Sequence, residues 1–233
     1  MALALPGWHG KLPALGDFVS RRLDQDLVEA WDGWLAAGML ALRQQAEGDW
    51  LEAYLASPSW CFLFAPGVLP GAQAGQAWAG VLMPSVDKVG RYFPFTLLQP
   101  LATLPSSGPD MQLLWQWLGR LDDLAADAMH DDWGIDALED ALARLGGAPQ
   151  PPAVVETSTS PPQAGALDPV PLPPGTDGAA WIDLEAHALW RAQATGMAYW
   201  YAQGQQEPTR LLRSHGLPAA EAMAVLLGRV TPS

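Results

Sequence analysis

Three short apolar runs between residues 59 and 104 constrain the fold of this chain more than any other feature. They read "SWCFLFAPG", "AWAGVLMPS" and "RYFPFTLLQP", and each is bounded by proline or glycine. Runs of this length, rich in aromatic and branched residues, are typical of buried β-strands. The intervening "GVLPGAQAGQ" predicts a hairpin loop. We therefore expect an antiparallel meander at the centre of the molecule.

Helical patterns flank these strands on both sides. Asp24 is positioned to cap a first helix whose apolar residues lie on one stripe. Further helices are predicted at 49–56, 109–131 and 134–145, of which the first and the last are short. The stripe of the first helix comprises Leu27, Trp31, Trp34, Leu35 and Leu42. Strands enclosed by amphipathic helices predict an α/β (α+β) fold, with a mainly antiparallel central sheet flanked by helices.

The composition changes after residue 147. Residues 148–178 are dense in Pro, Gly, Ser and Thr, which predicts a flexible loop between an α/β region at 1–147 and a C-terminal part at 179–233 that completes the same domain. In that part "AAWIDL" and "GMAYWYAQG" are predicted strands. "TRLLRSHG" is a further strand or a connection, and "LPAAEAMAVLLGRV" is a final helix.

Charge and cysteine content exclude several classes of protein. The formal net charge is −13 over 233 residues, which argues against binding to nucleic acid or to an anionic membrane surface. The one cysteine, Cys61, cannot form an intramolecular disulfide, and its apolar setting predicts a small buried side chain. No basic leader and no apolar run of about 20 residues is visible, so we expect a cytoplasmic protein with no membrane insertion.

Motifs of known chemistry are weak in this chain. Gly10-Lys11 is followed by Leu12 rather than Ser or Thr, so it is not a phosphate-binding loop, and no G-x-G-x-x-G or G-x-S-x-G pattern occurs. His130-Asp131-Asp132 and Asp122-Asp123 are interpreted as solvated parts of a helix, because adjacent residues do not converge on one ion. We expect no cofactor, no metal and no catalytic residue. A serine hydrolase that pairs Ser85 with a distant histidine stays open.

Two segments concentrate the unusual residues. "GWHGKLPALGDFVSRRL" at 7–23 and the stretch at 83–96 contain both lysines of the chain, and glycine and proline restrict the backbone in each. The candidate residues are Lys11, Asp17, Arg21, Arg22, Ser85, Asp87, Lys88 and Arg91. They can brace the fold, with Asp17 paired to Arg91 or Arg22. They can also form a surface that binds another protein, acidic or phosphorylated, and the two roles are compatible.

These same segments resemble the TagF family of type VI secretion-associated proteins. The first motif is matched at ten positions, namely Gly7, Gly10, Lys11, Leu12, Pro13, Gly16, Asp17, Phe18, Arg21 and Leu23. The second is matched more loosely by Pro84, Ser85, Asp87, Gly90 and Arg91, and a weaker likeness runs through "YWY" at 199–201 and "GLPAAEAMAVLL" at 216–227. The chain departs from the family at Trp8-His9 and at "PAL", residues 13–15.

The resemblance implies a function as well as a fold. It implies a cytoplasmic, non-enzymatic regulator that represses type VI secretion after translation by binding a forkhead-associated scaffold protein of the apparatus. It also implies an α/β fold with a sheet flanked by helices. Two alternatives remain open: an enzyme with an active site around Ser85, Asp87 and Arg91, and a structural accessory subunit of the secretion apparatus.

Overall fold

The computed structural model describes residues 5–151, 178–202 and 209–228. Seven strands and six α-helices are defined in this part of the chain. In chain order they are β1 (Gly7–Lys11), β2 (Phe18–Arg21), α1 (Gln25–Gln45), α2 (Trp50–Leu55), β3 (Trp60–Phe64), β4 (Ala77–Met83), β5 (Phe95–Leu101), α3 (Gly108–His130), α4 (Ile135–Leu145), α5 (Gly178–Ala194), β6 (Met197–Ala202), β7 (Arg210–His215) and α6 (Met223–Leu227).

All seven strands form one sheet in the order β2-β1-β5-β4-β3-β6-β7. Every neighbouring pair is antiparallel, and β3, β4 and β5 follow one another as the predicted meander. The expectation of an α+β fold with a mainly antiparallel central sheet is therefore confirmed. The N-terminal strands β1 and β2 extend the meander beyond β5, and the C-terminal strands β6 and β7 extend it beyond β3.

A hydrophobic core lies on each face of the sheet because the central strands are buried on both sides. On β3, Trp60, Phe62 and Phe64 face a core shared with α1 and α6, whereas Cys61 and Leu63 face a core shared with α3 and α4. We call these the α1 face and the α3 face. Cys61 is buried, as predicted.

Tryptophans connect the layers on the α1 face. The indole of Trp31 on α1 packs 5.8 Å from the Phe62 ring, and its Nε1 donates to Thr96 Oγ1 on β5 at 2.9 Å. Trp60 Nε1 donates to the carbonyl of Leu226 in α6 at 2.7 Å. A buried indole that keeps a hydrogen-bond partner contributes apolar area without leaving a donor unsatisfied. These contacts fix both helices on the sheet.

Two C-terminal predictions need correction. Residues 179–184 lie in α5 and not in a strand, because the alanine-rich stretch that continues to Ala194 favours a helix over the β-propensity of Trp181 and Ile182. The predicted final helix begins as a 3-10 turn, Ala220–Ala222, and its α-helical part is only Met223–Leu227. Most of the loop predicted at 148–178 lies outside the described residues, although Ala148 is described and is buried.

None of the helices described is both long and apolar enough to cross a lipid bilayer.

Candidate interaction site at the tip of the sheet

The two motif segments meet at one end of the sheet. Residues 12–17 connect β1 to β2, and residues 85–92 lie in the connection from β4 to β5. We call these two loops, together with Lys11 and Phe18 on either side of the first, the tip. The amide of Lys88 donates to the Leu15 carbonyl at 3.2 Å, and the guanidinium of Arg91 donates to the Gly16 carbonyl. Val86 and Tyr92 form an isolated antiparallel bridge that closes the second loop. The tip is thus held by backbone groups as well as by side chains.

A buried carboxylate organises the tip. Asp87 Oδ2 accepts from Lys11 Nζ and from Arg91 Nε, each at 2.7 Å. Asp87 Oδ1 accepts from the amides of Val89 and Arg91 at 3.0 and 2.9 Å. Lys11 and Asp87 are both only 3% exposed. Four donors therefore satisfy one carboxylate and connect β1 to the loop between β4 and β5.

This environment sets the protonation state of Asp87. Burial on its own raises the pKa of a carboxyl group. The opposing hydrogen bonds from Lys11, Arg91 and the Val89 amide outweigh burial and hold the pKa of Asp87 well below its usual range. Asp87 is consequently an anion at neutral pH, and each of its two oxygens accepts two hydrogen bonds.

Ser85 and Tyr54 form a second layer beneath this carboxylate. Ser85 Oγ donates to the Lys11 carbonyl at 2.7 Å, and Tyr54 Oη donates to the Ser85 carbonyl at 3.0 Å while it accepts from the Ser85 amide at 2.8 Å. Burial raises the pKa of Tyr54, against the effect of its hydrogen bond to Ser85. The phenol from α2 therefore binds both backbone groups of residue 85, whose carbonyl also accepts from the Phe93 amide at 3.1 Å.

Gly10 allows β1 to approach the start of β5. Its φ is +132°, and a Cβ at this position would lie 2.5 Å from the Pro94 carbonyl oxygen. Only glycine adopts this conformation without strain and fits the available space. The position explains why a glycine precedes Lys11 in the motif.

The outer surface of the tip combines apolar and charged groups. Phe18 is 42% exposed and Val89 63% exposed, while the side chains of Lys88, Arg91 and Asp17 also reach solvent. Two contacts fix the ring of Phe18. Lys11 Nζ lies 4.2 Å from its centroid, and the ring of Phe93 packs edge-on against it with the centroids 4.9 Å apart. A fixed aromatic ring beside cations is the kind of residue that anchors protein–protein contacts.

Arg21 and Arg22 lie at the other end of β2, away from the tip. Arg22 forms a two-pronged ion pair with Glu139 of α4, at 2.5 and 3.2 Å, and its Nε donates to the Pro6 carbonyl. Trp8 Nε1 donates to the same Glu139 at 2.7 Å. Burial would raise the pKa of Glu139, but the hydrogen bonds from Arg22 and Trp8 lower it. Arg21 is exposed to solvent next to the Arg22–Glu139 ion pair.

The structure corrects one pairing hypothesis. Asp17 binds neither Arg91 nor Arg22; its Oδ1 accepts from the Phe18 amide at 2.8 Å, while the two guanidinium groups bind Asp87 and Glu139. Sequence reasoning missed Tyr54 and Glu139, which lie 31 and 131 positions from their partners Ser85 and Trp8. No local spacing signals such long-range contacts.

No group of three or more His, Cys, Asp or Glu side chains within the described ranges could hold a metal ion. At the end of α3, His130 is the last helical residue, and Asp131 and Asp132 follow in a turn.

The seven-stranded antiparallel sheet with helices on both faces defines a small α+β protein, and comparison with known proteins identifies its family. The family model described as TagF N-terminal domain, type VI secretion system-associated, matches residues 7–145, which is more than half of the chain. The fold is similar to the crystal structure of PA0076 from Pseudomonas aeruginosa PAO1, with a TM-score of 0.74 and 34% sequence identity over 98% of this chain and 97% of that chain. A comparison with curated protein sequences finds no match. The chain belongs to the TagF family.

Proposed function

We propose that this TagF-family protein is a cytoplasmic, non-enzymatic repressor of type VI secretion that binds a forkhead-associated scaffold protein through the tip. Membership of a family associated with type VI secretion supports the biological setting. The scaffold as partner follows from the family resemblance of the two motifs. The contacts and exposure of the tip residues support the choice of this surface.

The observation that carries the proposal is that the tip combines buried side chains that brace it with exposed side chains that a partner can contact. Buried Lys11, Ser85 and Asp87 brace the two loops, and exposed Phe18, Lys88 and Val89 project from them. A braced loop loses little conformational entropy when it binds, so more of the contact energy appears as affinity. The exposed cations of an otherwise acidic chain favour an acidic surface on the partner.

The bonding of Ser85 and Asp87 argues for binding rather than catalysis. The hydroxyl of Ser85 donates to the Lys11 carbonyl, and the carboxylate of Asp87 already accepts from four donors. A nucleophile needs a neighbouring base that can accept its proton. A carboxylate with a strongly lowered pKa is a poor base.

The test is co-purification with the forkhead-associated scaffold of the same secretion cluster. Val89→Asp and Lys88→Glu change exposed side chains of the tip, and we expect each to weaken the complex at least tenfold, as for an interface anchor. The matched controls are Leu40→Asp on α1 and Arg144→Glu on α4, which make the same chemical changes at exposed positions elsewhere. Circular dichroism and thermal unfolding verify that each variant is folded.

The outcomes separate the parts of the proposal. Loss of binding by the tip variants with binding retained by the controls supports the tip as the interface. Equal binding by all four variants contradicts this placement, and no complex with the wild-type protein contradicts the scaffold as partner.

A further inference from the structure

A second candidate site lies at the opposite edge of the sheet from the tip. A cavity of about 780 Å³ opens on the α3 face, where residues of β3, β6 and β7 line it together with residues of α3 and α5. Its volume falls in the range of ligand sites, about 300–1,000 Å³. In the sheet order, β4 and β5 separate it from β1 and β2, so it does not share residues with the tip.

Aromatic side chains form the walls of this cavity. Trp115 of α3 packs 5.1 Å from the ring of Tyr201, and Trp190 of α5 packs 5.8 Å from the ring of Tyr199. Both tyrosines project from β6 on the same side, two residues apart. The faces of aromatic rings carry negative electrostatic potential and attract cations, so two aromatic pairs in one cavity favour a cationic group there.

A carboxylate supplies negative charge at one end of the cavity. Asp122 of α3 lines it and accepts a hydrogen bond from Ser59, which precedes β3. The sequence predicts a solvated helix face at Asp122, but the structure shows this residue half-buried. Burial raises the pKa of Asp122, and the hydrogen bond from Ser59 opposes this effect. The negative charge also affects Cys61, which lines the cavity. Burial is the main cause of the raised pKa of Cys61, and the charges of Asp122 and Asp123 raise it further.

Side chains of opposite charge lie near the two ends of the cavity, and this difference would orient a charged ligand. Cys61 pairs with Tyr201 and Leu63 pairs with Tyr199 across β3 and β6, so Tyr201 is nearer to the Ser59 end. At the other end, Arg213 of β7 lies opposite Tyr199, and its positive charge lowers the pKa of that tyrosine against the effect of burial. A cationic group is therefore favoured only at the end that holds Asp122.

The surroundings of the cavity favour a polypeptide over a small molecule. Its lining elements α3, α5 and β7 carry exposed apolar side chains on the outside of the protein, with Leu211 of β7 at 64% exposure on the cavity rim. Leu113, Ile182 and Leu189 are exposed on the same elements but do not line the cavity. The exposed leucine on the rim offers an apolar contact to the neighbours of a basic residue in a peptide, which a small cation would leave unused.

We propose that this cavity docks a segment of a partner protein, with an arginine or lysine side chain directed at Asp122 and apolar neighbours that cover the rim at Leu211. The basic group lies between the aromatic walls and ends at the carboxylate. This site is independent of the tip, and it gives the protein a second contact surface of opposite charge preference.

The test uses a blocked pentapeptide with arginine at its centre and two leucines on each side. Binding is followed by NMR through the indole N–H signals of Trp115 and Trp190. We expect saturable shifts of both signals, and at least tenfold weaker binding of the same peptide with citrulline, which keeps the shape of arginine but has no charge.

Two matched variants test whether Asp122 is the carboxylate that binds the arginine of the peptide. Asp122→Asn keeps the size of the side chain and should also weaken the arginine peptide about tenfold. The control is Asp127→Asn, which removes an exposed carboxylate from the same helix and should leave the affinity unchanged. Equal thermal unfolding midpoints of the two variants verify that the cavity is intact.

Three results would overturn the proposal. The first is the absence of shifts with the arginine peptide at millimolar concentration. The second is equal affinity for the arginine and citrulline peptides, which removes the role of charge. The third is Asp122-dependent binding of agmatine, a small guanidinium compound, as tightly as the peptide, which would identify a site for a small cation instead.

Discussion

Lys11 and Asp87 form a buried ion pair, with Nζ 2.7 Å from Oδ2, that joins β1 to the loop between β4 and β5. The pair spans 76 positions of sequence and joins the two motif segments, 7–23 and 83–96. Both lysines of the chain lie at the tip, yet they differ in setting, because Lys11 is buried and Lys88 is exposed. Lys11 therefore braces the fold, whereas the side chain of Lys88 is accessible at the surface.

The first prediction concerns the stability that this pair provides. Lys11→Met keeps the length of the side chain but leaves the buried Asp87 with Arg91 as its one cationic partner. Removal of one member of a buried pair is strongly destabilising, so we expect the midpoint of thermal unfolding to fall by roughly 10 °C. Lys88→Met is the control, with an expected change under about 2 °C. Equal midpoints for the two variants would show that the ion pair does not stabilise the fold.

The second prediction concerns His9 and pH. Its Nε2 lies 3.4 Å from Asp32 Oδ1, and its buried Nδ1 has no hydrogen-bond partner in the described part of the chain. Burial lowers the pKa of His9, opposed by the hydrogen bond and charge of Asp32. As pH falls through about 6.5, the unfolded chain binds the proton before the folded protein does, so folding stability declines.

The expected slope from this single group is at most about 1.4 kcal/mol per pH unit. Urea unfolding at several pH values between about 5 and about 7.5 measures this slope in the range where histidine titrates. His9→Gln should reduce the slope, whereas the exposed control His130→Gln should not. An unchanged slope in His9→Gln would assign the pH dependence to other groups.

The third prediction compares two glycines. Gly10→Ala introduces a Cβ 2.5 Å from the Pro94 carbonyl oxygen at a φ of +132°, so strain and a steric clash should destabilise the fold by about 2 kcal/mol or more. Gly33→Ala in α1 meets no atom within 4 Å and should stabilise by about 0.5–1 kcal/mol through helix propensity. Chemical unfolding of both variants provides the comparison. Two changes of the same sign would contradict the role assigned to Gly10.

The fourth prediction concerns Arg22 and Glu139. A double-mutant cycle with Arg22→Ala and Glu139→Ala should give a coupling energy of about 0.5–1 kcal/mol, since the pair is two-pronged but partly exposed to solvent. Scaffold binding by the Arg22→Ala variant should stay close to wild type, because Arg22 does not lie at the tip. Loss of binding in that variant while it remains folded would extend the interface to this end of β2.

Local patterns in the sequence predicted most of the secondary structure. The apolar runs that became β3, β4 and β5 and the stripe of α1 were recognisable because burial on a strand or a helix imposes a fixed spacing on neighbouring residues. The strand predicted at 179–184 failed because Trp181 and Ile182 suit a strand locally, and only the alanine-rich continuation decides for α5.

The sequence by itself determined the fold class, the family and the two segments that meet at the tip, because these depend on spacing and composition along the chain. Only the tertiary structure decided which charges pair. It assigned Arg91 to Asp87 and Arg22 to Glu139, and it placed Asp122 in an aromatic cavity. The reason is physical: a charge selects its partner by distance and burial in three dimensions, and residues 117 positions apart in sequence, such as Arg22 and Glu139, carry no local sign that they will meet.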